Sequence, residues 1–289
     1  MHDNAIATEL SKLKQDQGKL PDAELLSRRA LQMVAKNTRD PNVDYAMAAG
    51  NLADILTVEA HYIEAAQLLH EALQIYQSRH QTCTKQYADL LAVQAALLFD
   101  QDHDREAIAT LAKELQIRQD IHSSPAEFGR LYQNFAVIYA KTGRLRKAFE
   151  YLNKDRQIWS DSLSDQHPDK VSYVAMLLVV QTKTRHYAEA NSLAPFLLAH
   201  APSAFGQDSP SLALVLANIG MLYERQNRHA EALELLSQAY RIDRRTLGPF
   251  HPVTAFVLNW YGTTLIRLGR TAEGRALKAQ ANATLALVH

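Results

Sequence analysis

The sequence predicts an all-α fold, a solenoid of about seven antiparallel helix pairs. Three observations carry the prediction. Gly (10) and Pro (9) are scarce in 289 residues, which leaves too few turn-formers for a sandwich or a barrel. Ala and Leu, with 43 and 40 residues, are strong helix formers and make up over a quarter of the chain. One small residue also recurs at Ala23, Ala65, Ala107, Ala148, Ala190, Ala232 and Gly274, at spacings of 42, 42, 41, 42, 42 and 42. A fixed period of this length is the mark of a repeat architecture.

Each element follows from its place in the period. Twelve residues before each recurrent small residue stands another position, usually small: Ser11, Ala53, Ala95, Ala136, Leu178, Gly220 and Gly262. An apolar residue precedes it in most repeats, as at Leu52, Phe135 and Ile219, and another follows three on, as at Leu56, Tyr139, Tyr223 and Leu265. Offsets of three and four describe one face of a helix, the first of each pair. A second apolar helix starts at the recurrent residue; in the sixth repeat it reads Ala232, Leu233, Leu235, Leu236, Ala239. Small residues on both helices let the two backbones approach closely.

The boundaries agree with the period. Asp40-Pro41, Ser124-Pro125, His167-Pro168, Ser209-Pro210 and His251-Pro252 stand just ahead of first helices. Proline's missing amide has no partner to lose there. Ser124-Pro-Ala-Glu127 has capping-box spacing, and Gly248 after Leu247 suits a left-handed helix end. The repeats span approximately 4–41, 42–86, 87–124, 125–167, 168–209, 210–251 and 252–289. A lone helix pair cannot bury its apolar face and seven in series can, so residues 1–289 are expected to form a single domain. Two departures bear on the middle of the array. Pro195, inside a second helix, predicts a kink or early break. Glu114 and Asp155 replace the Ala30, Ala72, Ala239 and Ala281 of other repeats, and are expected to loosen the packing and reach solvent.

These residues resemble tetratricopeptide repeats of the 42-residue, kinesin-light-chain-like type. The likeness is best from Leu247-Gly-Pro-Phe-His-Pro252 through Asn259-Trp-Tyr-Gly262 to Gly269-Arg-Thr-Ala-Glu273. The family's Asn-Leu-Ala triplet appears as Asn51-Leu52-Ala53, Asn134-Phe135-Ala136 and Asn218-Ile219-Gly220. The resemblance covers about residues 4 to 289 and implies a right-handed solenoid whose first helices line a concave groove for peptides. It implies that Asn51, Asn134 and Asn218 point into that groove, where an amide can pair with a peptide backbone. Asn259 is shifted one place, and Trp260 takes the Asn slot of the seventh repeat. The alternative is that these residues cap, solvate or pack their own helices.

Two basic ladders accompany the period. Lys19, His61, His103, Arg144, His186, Arg228 and Arg270 stand four residues before each recurrent small residue, where cations complement the end of the first helix. Lys141, Lys183, Arg225 and Arg267 lie one helical turn inward and occur only in the last four repeats; the first three carry Asp16, Val58 and Asp100 there. Charge divides in the same way. Residues 1–126 hold 12 Lys and Arg against 18 Asp and Glu, and residues 127–289 hold 19 against 13, inside a neutral total. The expected ligand of the C-terminal half is therefore an acidic peptide, with Lys141, Lys183, Arg225 and Arg267 as charge partners. The alternatives are a solvated face and head-to-tail self-association of the two halves.

Composition sets the remaining expectations. A neutral chain argues against binding nucleic acid in bulk or a membrane surface through basic charge. The longest apolar run, Val174 to Val180, is short for a membrane span. One cysteine, Cys83, allows neither an intrachain disulfide nor a thiolate zinc cluster. With no signal peptide visible, a cytoplasmic setting is expected. Phosphate-loop, metalloprotease, nucleophile-elbow and dinucleotide motifs are absent, and the acidic turn Asp102-His103-Asp104 is too compact to wrap a metal. The sequence thus reads as a non-enzymatic interaction module without cofactor or metal. The rival is a regulatory sensor that changes superhelical pitch on binding a signalling peptide.

Overall fold

The computed structural model describes Ser11, Lys14 and residues 19–37, 42–159 and 163–286. Thirteen α-helices of 15 residues or more occupy them: α1 (Leu20–Asn37), α2 (Val43–Val58), α3 (Tyr62–Ser78), α4 (Lys85–Asp100), α5 (Asp104–Asp120), α6 (Pro125–Lys141), α7 (Leu145–Trp159), α8 (Pro168–Lys183), α9 (Tyr187–Phe205), α10 (Pro210–Arg225), α11 (His229–Thr246), α12 (Pro252–Arg267) and α13 (Thr271–Leu285). The fold is all-α, as expected. The chain divides into two compact units, residues 1–160 with α1 to α7 and residues 161–289 with α8 to α13.

Each unit is built by the same packing rule. In the first, α2 packs on α3, α4 on α5 and α6 on α7; α1, α3 and α5 each also pack on the first helix that follows. In the second, α8 packs on α9, α10 on α11 and α12 on α13, with α9 and α11 bridging onward. First helices also touch in series, α2 to α4 to α6 and α8 to α10 to α12. They therefore form the inner side of each stack. Ala23, Ala65, Ala107, Ala148, Ala190 and Ala232 are all 0% exposed. In the last two repeats the facing position must be bare: a Cβ on Gly262 would stand 2.7 Å from the Gly274 carbonyl oxygen, and one on Gly220 2.8 Å from Leu236 Cγ. Between α6 and α7 the filling is aromatic, with Phe135 and Tyr151 stacked at 4.4 Å.

Both kinds of turn repeat with the period. First helices end in a left-handed residue, at Ala60, Asp102, Gly143, Arg185, Asn227 and Gly269. The next amide then reaches back to the helix, as from His61 to Leu56 O and from Arg228 to Tyr223 O. Second helices end the same way at His80 and His122, and with a positive-φ glycine at Gly206 and Gly248, the last with φ 91° as its sequence suggests. The first basic ladder thus sits at a junction. His61, His103, His186, Arg228 and Arg270 also occupy the N-cap of the following helix and make no capping bond with their side chains. Arg228 and Arg270 turn instead to Glu231 and Glu273, which offset a cation at a positive helix end.

The predicted caps of first helices form where they are described; Asp40 and Pro41 lie outside the described residues. Glu127 accepts from both the amide and the hydroxyl of Ser124, each at 2.8 Å. Ser209 Oγ accepts from Leu212 N. His167 and His251 cap through Nδ1, accepting from Asp169 N and Val253 N at 3.2 Å.

Two expectations are corrected. α9 runs unbroken through Pro195. Pro195 lies on the exposed side, while Ala194 and Leu197 beside it are fully buried and hold the helix. Glu114 and Asp155 do not reach solvent: they are 1% and 0% exposed. Glu114 stays buried because Arg118, one turn on, donates to it through Nε at 2.6 Å.

Candidate functional site

Residues seven and four apart on a helix return to nearly the same side, so 214, 221 and 225 form one stripe along α10. In the second unit this stripe ends in a cation on three adjacent helices. It reads Ser172, Val179, Lys183 on α8; Leu214, Met221, Arg225 on α10; and Phe256, Thr263, Arg267 on α12. Leu214 and Phe256, near the N-terminal ends, are 51% and 46% exposed and stand at the same place one period apart. The cations at the C-terminal turns are exposed, and the central residues are half-buried. Ala175 and Ala217 line the floor beside them and are buried.

The three cations differ in their surroundings. The Lys183 ammonium is held below its ordinary pKa by partial burial and by the Arg225 charge beside it. Arg267 Nε stands 3.9 Å from Glu224 Oε1, beyond hydrogen-bond reach. Glu224 is itself buried, accepting from Thr264 Oγ1 at 3.1 Å and sharing a hydrogen bond with His229 Nδ1 at 2.8 Å. That carboxylate ties α10, α11 and α12 together beneath the ladder.

Lys141, in the first unit, is matched within the fold. Its Nζ donates to Phe99 O at 2.9 Å, pairs with Asp102 at 2.6 Å and Asp104 at 3.0 Å, and lies 4.3 Å from the Phe99 ring centre. Against the lowering by partial burial, the two aspartates raise its pKa. It thus caps the end of α4, one repeat earlier. The stripe of the first unit is mixed, with Met47, Asp54 and Val58 on α2, Asp89, Ala96 and Asp100 on α4, and Arg130 and Val137 leading to Lys141 on α6.

The asparagines are not equivalent. Asn51 and Asn259 are half-buried and Asn134 is exposed, whereas Asn218 is only 8% exposed and offers little of its amide to a ligand. Trp260 is half-buried against the core of the second unit. Sequence reasoning read the basic edge and missed the apolar one. The signal was available: Leu214 and Phe256 are 42 apart, each six residues before a helix-contact glycine, Gly220 or Gly262.

Among the described residues no group of three His, Cys, Asp or Glu is placed to hold a metal ion. No helix among them is long and apolar enough to cross a membrane. Cys83 is exposed.

Comparison with known proteins follows the same lines. Residues 202–282 match the tetratricopeptide repeat family model, and residues 26–156 match that of the ChAPs, Chs5p-Arf1p-binding proteins. The clustered mitochondria protein homolog of Aspergillus fumigatus is 24% identical over 183 residues, 63% of this chain and 13% of that protein. That of Coccidioides immitis is 23% identical over 194 residues, 66% of this chain and 15% of its own length. The chain thus spans about one seventh of the curated relatives it matches. Among solved structures, a Rap protein complexed with competence and sporulation factor superposes with TM-score 0.74 at 12% identity, over 100% of this chain and 78% of that one. NprR in complex with its cognate peptide NprX gives 0.67 at 15% identity, over 99% and 82%. These likenesses show a shared fold. With its 42-residue period, paired helices and matched C-terminal repeats, the chain is similar to tetratricopeptide repeat proteins.

Proposed function

We propose that the protein is a non-enzymatic, cytoplasmic interaction module that holds an acidic peptide or partner helix on the first-helix face of its second unit. One observation carries the reading: α8, α10 and α12 each end in an exposed cation, and two of them begin with an exposed large apolar residue. Such a face costs stability and solubility unless a ligand uses it. The clustered cations would steer an acidic ligand and speed its association. Lys183, Arg225 and Arg267 are the charge partners in this reading, with Asn259 and Trp260 beside them. Lys141 is set aside because Asp102 and Asp104 already hold it.

The test is fluorescence anisotropy with a labelled acidic peptide carrying apolar residues. Affinity is expected to fall by about tenfold or more between low and high salt, and by a similar factor in the Arg225→Glu/Arg267→Glu variant. Affinity indifferent to both salt and charge reversal would remove the reading.

A second reading, a sensor of signalling peptides, draws support from the fold shared with NprR bound to its cognate peptide. A break at Pro195 lends it nothing, since α9 is continuous.

A further inference from the structure

We infer that the ligand of this face is an amphipathic helix with one acidic and one apolar flank, rather than an extended strand. The inference rests on the reading of the face as a peptide site and specifies what occupies it.

The first argument is width. α8, α10 and α12 are first helices of successive pairs, so they run in the same direction and their like ends align. Leu214 and Phe256 mark one edge, and Lys183, Arg225 and Arg267 the other. Eleven residues separate Leu214 from Arg225, about 16 Å along the helix. A helix with its side chains is about 10–12 Å across and fits between those edges.

The second argument is the floor. An extended ligand must exchange the water on its backbone amides and carbonyls for protein partners. Between the two edges α8 and α10 present the half-buried Val179 and Met221, which have no side-chain donor or acceptor, above the buried Ala175 and Ala217. Asn218 lies among them but is 8% exposed. Thr263, Asn259 and the Trp260 indole are confined to α12 and Ser172 stands toward the N-terminal edge of α8, so no row of polar partners runs through the middle of the face. A helical ligand brings its backbone hydrogen bonds already made and needs only apolar contact there.

The third argument is charge. Lys183 and Arg225 lie close enough for the charge of one to lower the proton affinity of the other. A carboxylate between two such cations relieves their repulsion. Carboxylates on one flank of a helix, at offsets of three and four, would line this edge while apolar residues on the opposite flank meet Leu214 and Phe256.

The experiment compares two peptides of identical Glu, Leu and Ala composition by calorimetry against the full chain. In one, Glu and Leu repeat on opposite flanks of a helix; in the other they alternate along a strand. The helix-patterned peptide is expected to bind about tenfold tighter or better, and to become helical in the complex by carbon chemical shifts. Arg225→Gln should cancel the effect of changing the peptide's Glu to Gln, and Phe256→Ala the effect of changing its Leu to Ala. Equal or tighter binding by the strand-patterned peptide, or a bound peptide in extended form, overturns the inference and leaves the peptide site standing. Binding of neither peptide overturns both.

Discussion

Replacing Arg118 with alanine is expected to destabilise the first unit by about 3–5 kcal/mol. Arg118 is 4% exposed and holds three elements through one guanidinium. Nε donates to Glu114 at 2.6 Å, Nη2 donates to Asp89 at 2.8 Å, and Nη1 stands 3.6 Å from Glu127. Lys85 completes the cluster, 2.6 Å from Glu127. The two glutamates feel opposite balances. Burial pushes Glu114 up to about 7 even beside Arg118. Against the burial that raises it, Lys85 and Ser124 hold Glu127 down at about 2. Without Arg118, Glu114 is left buried with no cation, and its carboxyl must take a proton or force the packing open.

The period supplies the control. Repeats one and two carry Ala30 with Val34 and Ala72 with Tyr76 in the slots of Glu114 and Arg118. Glu114→Ala with Arg118→Leu removes both charges and rebuilds that apolar pair, so it should lie within about 1 kcal/mol of the parent. The two tryptophans fall one in each unit, Trp159 and Trp260. Urea unfolding followed by fluorescence in a Trp260→Phe background reports the first unit. A loss below about 1 kcal/mol for Arg118→Ala would mean that the cluster does not hold the repeats together.

Asp243 occupies the Arg118 slot in the sixth repeat, and here a buried acid stands alone. It is 0% exposed, and neither carboxylate oxygen has a hydrogen-bond partner among the described residues. Burial pushes its pKa up to about 7 from an ordinary 3.8. The folded state therefore keeps a proton that the unfolded state releases. Stability of the second unit carries no penalty from this group below about pH 4, declines as pH rises toward 7, and stays flat above. At 1.36 kcal/mol per pH unit the decline is on the order of 4 kcal/mol. Asp243→Ala restores the residue of the preceding repeat, Ala201. It should flatten the profile and stabilise the second unit at pH 8 by roughly 2–3 kcal/mol, after about 1 kcal/mol for the small cavity. Urea midpoints from pH 4 to pH 8 in a Trp159→Phe background check this. Parallel profiles for parent and variant would contradict it.

Much of the fold was legible because the period fixes register. Ala65 or Ala232 marks a helix contact whatever surrounds it, and Pro125, Pro210 and Pro252 mark first-helix starts by the same chemistry each time. What escaped depends on partners in other repeats. Glu114 looked like a misfit in an alanine slot, although Arg118 four residues on was the clue; its other partner, Asp89, is 29 residues away. Lys141 looked like its ladder mates, but Asp102 and Asp104 belong to the turn one repeat earlier. Pro195 was judged by its lost amide alone, which overlooks the side of the helix it faces. The candidate site was half legible. Its cations lie in a ladder that composition made visible, while Leu214 and Phe256 look like ordinary core residues until their exposure is known.

Methyl NMR of the full chain, titrated with the acidic amphipathic peptide, tests the first-helix face most directly. Binding there shifts the methyl signals of Val179, Leu214 and Met221 together, and leaves Leu198, exposed on the second helix α9, unmoved. Shifts at Leu198 with Leu214 unchanged would place the ligand on the outer helices and contradict the assignment.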